Sequence, residues 1–349
     1  MPGTVLDGEA GDAIGPTTHA TVLRAENPWT ILRVDGWNVV KATWTDSRTN
    51  NLSLIAAGTA FWGFAAIAPL LAATVLTYGI VSTPETLSKN IRDLFGVLPR
   101  DAAHLIADQL AGVVKTSGEK KGWGLIIALV LAFYGSTQGA SAVVTALNVA
   151  YAEKETRGFV RLYLLAFAIT AAAVLLAIAA GASTAVTAFI DSLLPGAPDI
   201  VLTAIRFTSY AVLALMAMTA AAFLYRFGPD RVHAKWVWLT PGSLGAAALW
   251  LVMTGAFAFY VTNFANYGAT YGSLSAVVVL LSWLWLSTYV FLLGAELNSQ
   301  LERRTAQDTT VGPPAPMGQR GAVVADMAGQ VVPQPQGRGF PTDQEPHAL

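Results

Sequence analysis

Long apolar stretches dominate the pattern of this 349-residue chain. Six of them are long enough to cross about 30 Å of hydrocarbon at about 1.5 Å per residue, so each predicts a transmembrane helix. The predicted spans are residues 52–78, 123–149, 162–190, 200–224, 241–264 and 273–297. The pattern therefore predicts an all-α fold, a polytopic membrane helix bundle with about six transmembrane helices plus interfacial amphipathic helices.

Shorter patterns flank the first span. Residues 1–26 contain no long apolar run, and we expect a disordered N-terminal segment. In residues 27–50, Asn27 and Pro28 predict a helix start. A face bearing three tryptophans, Trp29, Trp37 and Trp44, lies opposite a basic face. This arrangement favours an interfacial amphipathic helix, with an ordinary packing helix as the alternative.

The rest of the chain divides at residue 304. Residues 51–304 hold the six-helix transmembrane domain. Within it, two amphipathic patterns at about 83–117 predict short helices that lie on the outer leaflet or cap the bundle. Residues 305–349 are rich in Gly, Pro and Gln, and we expect a disordered cytoplasmic tail.

The positions of Lys and Arg predict the orientation. They are concentrated in the loops after the second and fourth spans and next to the ends of the domain, whereas the loops after the third and fifth spans contain none. Positive loops face the cytoplasm, so a multi-pass membrane protein with cytoplasmic N- and C-termini is expected. The loop of residues 83–122 is an exception, because it carries six Lys and Arg on the predicted outer side.

Composition and charge limit the classes of partner and activity that the sequence favours. Only 12% of residues are charged and the mean hydropathy is +0.51, against about 25% charged in average soluble domains. The net charge of -1 argues against a nucleic-acid partner. With no cysteine, no histidine pair at metal-ligand spacing and no nucleophile–base motif, we expect no metal, cofactor or catalytic residue, and no enzyme.

Five polar residues share one face of the second span. Their offsets of 0, 4, 7, 11 and 14 follow the helical repeat. They are Tyr134, Gln138, Ser141, Thr145 and Asn148. The stripe predicts either the lining of a cavity or hydrogen bonds between helices, the latter favoured by small residues at 135–139.

Other polar groups lie near the ends of spans. Arg206 is predicted to snorkel to the outer interface or to bind an anionic headgroup. For Glu296 we expect an ion pair with Arg157, Arg161 or Arg226, with proton coupling as the alternative. An aromatic and amide belt after the fifth span is predicted to contact headgroups, and it includes Asn263, Asn266 and Tyr267.

Residues 225–303 resemble a known family. They contain Tyr-Val-Thr-Asn-Phe at 260–264, Tyr-Gly-Ala-Thr-Tyr-Gly-Ser-Leu at 267–274 and a tryptophan-bearing span that ends Leu-Gly-Ala-Glu-Leu-Asn at 293–298. On these segments the chain is similar to the YihY/virulence factor BrkB family of bacterial inner-membrane proteins, formerly mislabelled ribonuclease BN. The resemblance extends over about residues 28–304, and it implies a six-span envelope protein.

Two functions follow from the sequence and the resemblance. The leading hypothesis is a transporter or lipid-handling protein of the cell envelope, with the lipid bilayer and a lipid or lipid-linked substrate as partners. The alternative is a non-transporting structural or scaffolding envelope protein whose tail recruits partners. Ribonuclease activity is not expected, since the sequence offers neither a metal site nor a basic surface.

Overall fold

The computed structural model describes residues 25–81, 121–172, 198–263 and 274–327. Helices connected by short loops make up most of these ranges. The helices are α1 (Pro28–Thr49), α2 (Leu52–Val81), α3 (Lys121–Ala150), α4 (Phe159–Ala172), α5 (Asp199–Phe227), α6 (Trp236–Asn263), α7 (Ser275–Glu302) and α8 (Val323–Asp326). The predicted helices at about 83–117 and the N-terminal segment up to residue 24 lie outside the described residues.

Three of the helices are each long and apolar enough to cross a membrane, and they are α5, α6 and α7. The stretch Leu52–Ile67 of α2 and the described part of α4 are shorter apolar helices. The central helix α7 packs against α1, α2, α3 and α6. The chain is therefore an all-α membrane bundle, as the hydrophobic pattern predicted.

The N-terminal helix α1 begins where the sequence predicted it. The Asn27 side chain accepts a hydrogen bond from the Trp29 backbone N–H at 2.9 Å, with Pro28 in the first helical turn. Ile31 and Val39 are buried on the face that packs against the bundle. Trp37, on another face, is 70% exposed, so α1 buries one side only.

Small residues hold α2 and α3 close together. A Cβ atom added to Gly135 would lie 3.2 Å from the Ala66 Cα atom, and one added to Gly139 would lie 3.7 Å from the Gly63 backbone nitrogen. The backbones approach this closely because neither glycine carries a side chain. The small residues at 135–139 therefore serve helix packing.

The helix α6 begins at Trp236, earlier than the predicted start at Pro241. A proline inside a helix has no N–H for the carbonyl four residues before it, here that of Val237. The Thr240 hydroxyl donates to this carbonyl at 2.8 Å and takes the place of the missing donor. One additional turn of helix is thereby tolerated on the N-terminal side of the proline.

The segment after α7 differs from the predicted disordered tail, because residues 305–327 pack against the bundle. The Val311 N–H donates to the His233 carbonyl at 2.9 Å, and the Val232 N–H donates to the Gly321 carbonyl at 2.9 Å. The Arg320 guanidinium donates to four backbone carbonyls of the segment. Hydrogen bonds of this kind compensate for the scarcity of apolar side chains in the segment. The composition of the segment did not indicate that these bonds would form. Residues 328–349 lie outside the described part.

Candidate functional site

Several charged loops meet at one end of the bundle, which we call the polar end. It consists of residues 151–158, residues 228–235, the last turns of α7 and residues 303–327. At its centre the Arg231 guanidinium and the Glu302 carboxylate form a bidentate pair, with nitrogen–oxygen distances of 2.6 and 3.2 Å. Their side chains are 2% and 0% exposed. Burial alone would lower the pKa of Arg231, but the charge of Glu302 outweighs it and raises that pKa.

A second set of contacts joins the two loops of the polar end. The Asn148 side-chain amide donates to Glu155 Oε2 at 2.9 Å, and its oxygen accepts the Asp230 backbone N–H at 2.8 Å. The Arg157 guanidinium contacts Glu155 at 2.7 Å and lies 3.6 Å from Asp230. Burial would raise the pKa of Asp230, but its bonds to Thr156 and the charge of Arg157 lower it.

Glu153, at the polar end, has no cationic partner within 4 Å among the described residues. Glu153 Oε1 accepts the backbone N–H of Val323 at 2.8 Å, so it anchors the start of α8. Burial raises the pKa of Glu153 to about 7, although that hydrogen bond and the charge of Arg231 oppose the change. Its protonation state is therefore sensitive to pH near neutrality.

An apolar groove of about 220 Å³ lies between α5 and α6. Leu215, Met218, Ala222 and Phe223 form the wall on α5, and Trp236 lies at the polar end of the groove. Hydroxyl groups in the groove are already engaged, since those of Thr219, Thr240 and Ser243 donate to carbonyls of their own helices. The lining thus offers almost no free hydrogen-bond donor, which suits an apolar ligand.

A cation lies beside the tryptophan at the end of the groove. The Arg226 guanidinium carbon is 4.5 Å from the centre of the Trp236 ring, which is cation–π geometry. Arg226 also donates to the backbone carbonyl of Ala234. Phe223 and Phe227 surround the same indole edge to face. A guanidinium stacked on an aromatic ring can contact the polar part of an amphipathic ligand.

The structure does not bring the predicted polar stripe of α3 into one buried site. Tyr134 is 54% exposed and lies edge to face with Trp62. Gln138 and Ser141 are half-buried, and Thr145 is exposed. Asn148 is buried, with its side chain committed to the loops of the polar end. Its role depends on Asp230, 82 residues away, which no local spacing could have indicated.

The other predicted residues are scattered. Asn263 is exposed at the end of α6, and its amide donates to the Phe259 carbonyl of the same helix at 2.8 Å. Arg206 lies in α5, but its side chain is outside the described part. Asn266 and Tyr267 fall between residues 264 and 273, which are also outside it.

The ion pair predicted for Glu296 with an inner-loop cation is wrong. Glu296 Oε1 accepts a hydrogen bond from the Gln300 side chain at 2.9 Å, and no cation lies within ion-pair distance of it in the described residues. Arg157 is occupied by Glu155 and Asp230, and Arg226 by Ala234 and Trp236. The prediction failed because Glu155 and Asp230 lie beside Arg157, while Arg226 is held by a backbone carbonyl and an aromatic ring of its own loop region.

The comparisons with known proteins decide the family. The family model described as virulence factor BrkB matches residues 43–318. The chain belongs to the virulence factor BrkB family.

Relatives in this family carry general names. The putative ribonuclease-like protein YfkH of Bacillus subtilis is 29% identical over 216 residues, which are 61% of this chain and 78% of that protein. The UPF0761 membrane protein RC1_0578 of Rhodospirillum centenum is 28% identical over 281 residues, which are 79% of this chain and 60% of that protein. A UPF0761 membrane protein of Alkalilimnicola ehrlichii is 43% identical over 83 residues, or 24% and 18% of the two chains. No solved structure matches the chain.

The structure explains the segment Leu-Gly-Ala-Glu-Leu-Asn at 293–298, on which the resemblance to the BrkB family rested. A Cβ atom on Gly294 would lie 2.5 Å from the Tyr225 hydroxyl and 2.6 Å from the Gly242 carbonyl oxygen, so α6 and α7 cross backbone against backbone. Asn298 accepts the Gly242 N–H at 2.7 Å and donates to the Leu239 carbonyl at 3.2 Å. These bonds satisfy backbone groups beside the proline of α6.

Proposed function

We propose that this BrkB-family protein is a transporter or lipid-handling protein of the bacterial inner membrane. The observation that carries the proposal is the groove between α5 and α6, with Arg226 and Trp236 at its polar end. The ligand that fits both features is a lipid with an anionic headgroup. Its acyl chain would lie along the groove, and its phosphate would contact the guanidinium.

The shape and lining of the groove support an acyl chain as the occupant. The walls are apolar side chains of two membrane-spanning helices, and the hydroxyls in them are internally bonded. Burial of a methylene group against such walls gains about 0.8 kcal/mol relative to water. Within a bilayer this gain is smaller, because lipid tails are as apolar as the walls of the groove. The groove would therefore select an acyl chain by its shape, and Arg226 would select the headgroup by its charge.

The positive charge at the end of the groove supports an anionic headgroup. Arg226, Arg231 and Lys235 lie within ten residues of one another at the polar end. Arg231 is neutralised by Glu302, whereas Arg226 is paired only with neutral groups in the described structure: a carbonyl and aromatic rings. A basic residue near an anionic membrane surface contributes about 1 kcal/mol of attraction.

The same charges support the proposed orientation. The basic loops after α3 and α5 contact each other through Arg157 and Asp230, and Arg231 joins the second loop to the end of α7. Basic loops that share one end of a bundle favour the cytoplasmic side. We therefore propose that the polar end and both termini are cytoplasmic, and that α1 lies in the inner interface with Trp37 toward the lipid.

We propose separately that part of the polar stripe of α3 lines a path through the bundle. Gln138 and Ser141 are half-buried, and they are the members of the stripe that could line a path through the bundle. Arg206, Asn263, Asn266 and Tyr267 stay candidates for headgroup contacts at the other end. The alternative function, a scaffolding protein without transport, predicts that substitutions in the groove and the stripe have no effect on lipid binding.

The test is a comparison of two bulky substitutions in full-length protein. Ala222→Trp fills the groove, while Ala256→Trp adds the same side chain at an exposed position of α6 outside it. Each protein is purified in mild detergent, and bound phospholipid is quantified by native mass spectrometry. We expect Ala222→Trp to lose most of the bound anionic lipid and Ala256→Trp to retain it. Equal retention by both variants would refute the groove as the lipid site.

A further inference from the structure

A buried polar cluster lies between α1 and α7, apart from the groove. Glu296 is completely buried in it. The side-chain amide of Gln300 donates both to Glu296 Oε1 at 2.9 Å and to Asp46 Oδ2 at 2.7 Å. Arg303 contacts Asp46 Oδ2 at 3.1 Å. One neutral amide thus links two carboxyl groups, and the single cation among them faces Asp46.

The charges of the cluster do not balance when both carboxyl groups are ionised. Asp46 and Glu296 would carry two negative charges against the one positive charge of Arg303. The neighbouring cations are committed elsewhere, since Arg231 pairs with Glu302 and Arg304 pairs with Asp35 at 3.1 Å. One negative charge would therefore remain buried without a counter-ion, which costs several kcal/mol in a protein interior.

Among the described residues, no other element that packs against α7 supplies a compensating charge. The helix α3 contains one charged residue, Lys121, which is its first residue and lies at the opposite end of the helix from the polar end. The helices α2 and α6 also pack against α7, and neither contains a charged residue. Asp326 of α8 is held by the backbone N–H groups of residues 318 and 320. The side chain of Asn50, at the end of α1, also hydrogen-bonds to the Glu296 carboxyl group, but it carries no charge.

The cluster also contains polar atoms that lack hydrogen bonds. Glu296 Oε2 and the Ser299 hydroxyl oxygen are both buried, and neither has a partner among the described residues. A carboxyl group that holds a proton on Oε2 would become neutral and would gain a donor at this position. A single bound proton therefore removes the excess charge, and a neutral group without a hydrogen bond costs less in a protein interior than an ionised one.

We propose that Glu296 is a proton-binding site that is occupied while α1 is packed against α7. Release of the proton places a second negative charge beside Asp46, and the two carboxylates then repel each other across the shared Gln300 amide. The site thus couples a proton to the docking of α1. The inference stands apart from lipid binding, because it depends on α1 and α7 and not on the groove.

The test is infrared spectroscopy of the full-length protein in lipid nanodiscs at neutral pH. Every sample carries Glu153→Gln, because the pKa of Glu153, about 7, would give a second protonated carboxyl group at this pH. The carbonyl stretch of a protonated carboxylic acid should be present in the otherwise wild-type protein and absent when Glu296→Gln is added. Asp46→Asn frees Arg303, so Glu296 should ionise and the band should also disappear in that variant. A band that persists when Glu296→Gln is added, or its absence from the folded, otherwise wild-type protein, would overturn the proposal.

A pair of matched substitutions separates proton binding from a structural role. Glutamine resembles a protonated glutamic acid, so Glu296→Gln should melt within a few degrees of the wild type. Glu302→Gln, on the same helix and equally buried, removes a paired charge and should melt far lower. If Glu296→Gln melts as low as Glu302→Gln, or if sodium ions but not bulky organic cations stabilise the wild type, Glu296 is ionised and the proposal fails.

Discussion

The pair of Arg231 and Glu302 offers the sharpest test of how the polar end is held together. Both side chains are at most 2% exposed, and two hydrogen bonds of 2.6 and 3.2 Å join them. Glu302 also accepts the Thr309 hydroxyl at 2.7 Å, so the pair fixes the segment after α7. Glu302→Gln leaves the guanidinium buried without a counter-charge, and such a loss costs about 3–5 kcal/mol.

A double substitution separates the pair from the packing around it. Replacement of both partners by apolar residues, Arg231→Met with Glu302→Leu, removes both charges together and should cost much less than Glu302→Gln alone. With the single variants Arg231→Met and Glu302→Leu this forms a double-mutant cycle, and its expected coupling energy is about 2–3 kcal/mol, within the range measured for interacting neighbours. Surface charges behave differently, and Glu26→Gln, at an exposed position before α1, should change stability by less than about 0.5 kcal/mol.

The assay is reversible unfolding of the purified protein in mixed detergent micelles, followed by the fluorescence of its ten tryptophans. The free energy of unfolding is compared among the wild type, Arg231→Met, Glu302→Leu, their double variant, Glu302→Gln and the Glu26→Gln control. Additive effects, or a loss below about 1 kcal/mol for Glu302→Gln, would show that the pair is solvated in the membrane protein. The interpretation of the polar end as a rigid unit would then be incorrect.

Three further predictions follow from single contacts. Gly294→Ala places a Cβ atom 2.5 Å from the Tyr225 hydroxyl and should cost at least about 1–3 kcal/mol in the same unfolding assay, whereas Gly255→Ala, with nothing within 4 Å, should be neutral. Asn298→Ala leaves backbone groups of α6 unpaired and should cost about 1–3 kcal/mol, with Asn298→Gln as a partial rescue to be checked by melting temperature. The pKa of Glu153 is raised to about 7 in the folded protein, whereas its ordinary value in the unfolded chain is 4.5. Proton binding by Glu153 therefore stabilises the folded state fully below pH 4.5, and this stabilisation is lost as the pH rises through 7. The protection factors of residues 318–327, which correct the exchange rates for the intrinsic pH dependence of amide exchange, should therefore fall between pH 5 and pH 7.5. Glu153→Gln should abolish this fall, and an unchanged profile of protection factors in that variant would contradict the assignment.

Local patterns predicted the helices well. The apolar runs at 52–78 and 123–149 correspond to α2 and α3 within three residues at each end. The Asn27 cap was predictable because a cap depends only on residues next to it along the chain. The start of α6 was misplaced at Pro241, since the compensating donor is the hydroxyl of Thr240.

Contacts over long distances could not be predicted in the same way. Asn148 was placed on a polar stripe, yet its partners are determined by the loop that contains Asp230. Glu296 was assigned an ion pair that the described residues do not form, because the sequence does not indicate that Arg157 pairs with Glu155 and Asp230. The order in residues 305–327 depends on Arg320 and on backbone pairing with residues 232–235, neither of which changes the composition.

The central claim, that a lipid occupies the groove between α5 and α6, is tested most directly by a cryo-electron microscopy map of the full-length protein in nanodiscs of anionic phospholipid. The account predicts an acyl chain against Ala222 and Phe223 and a phosphate in contact with Arg226. A groove that is filled by protein, or a phosphate bound elsewhere while this groove contains no lipid, would contradict it.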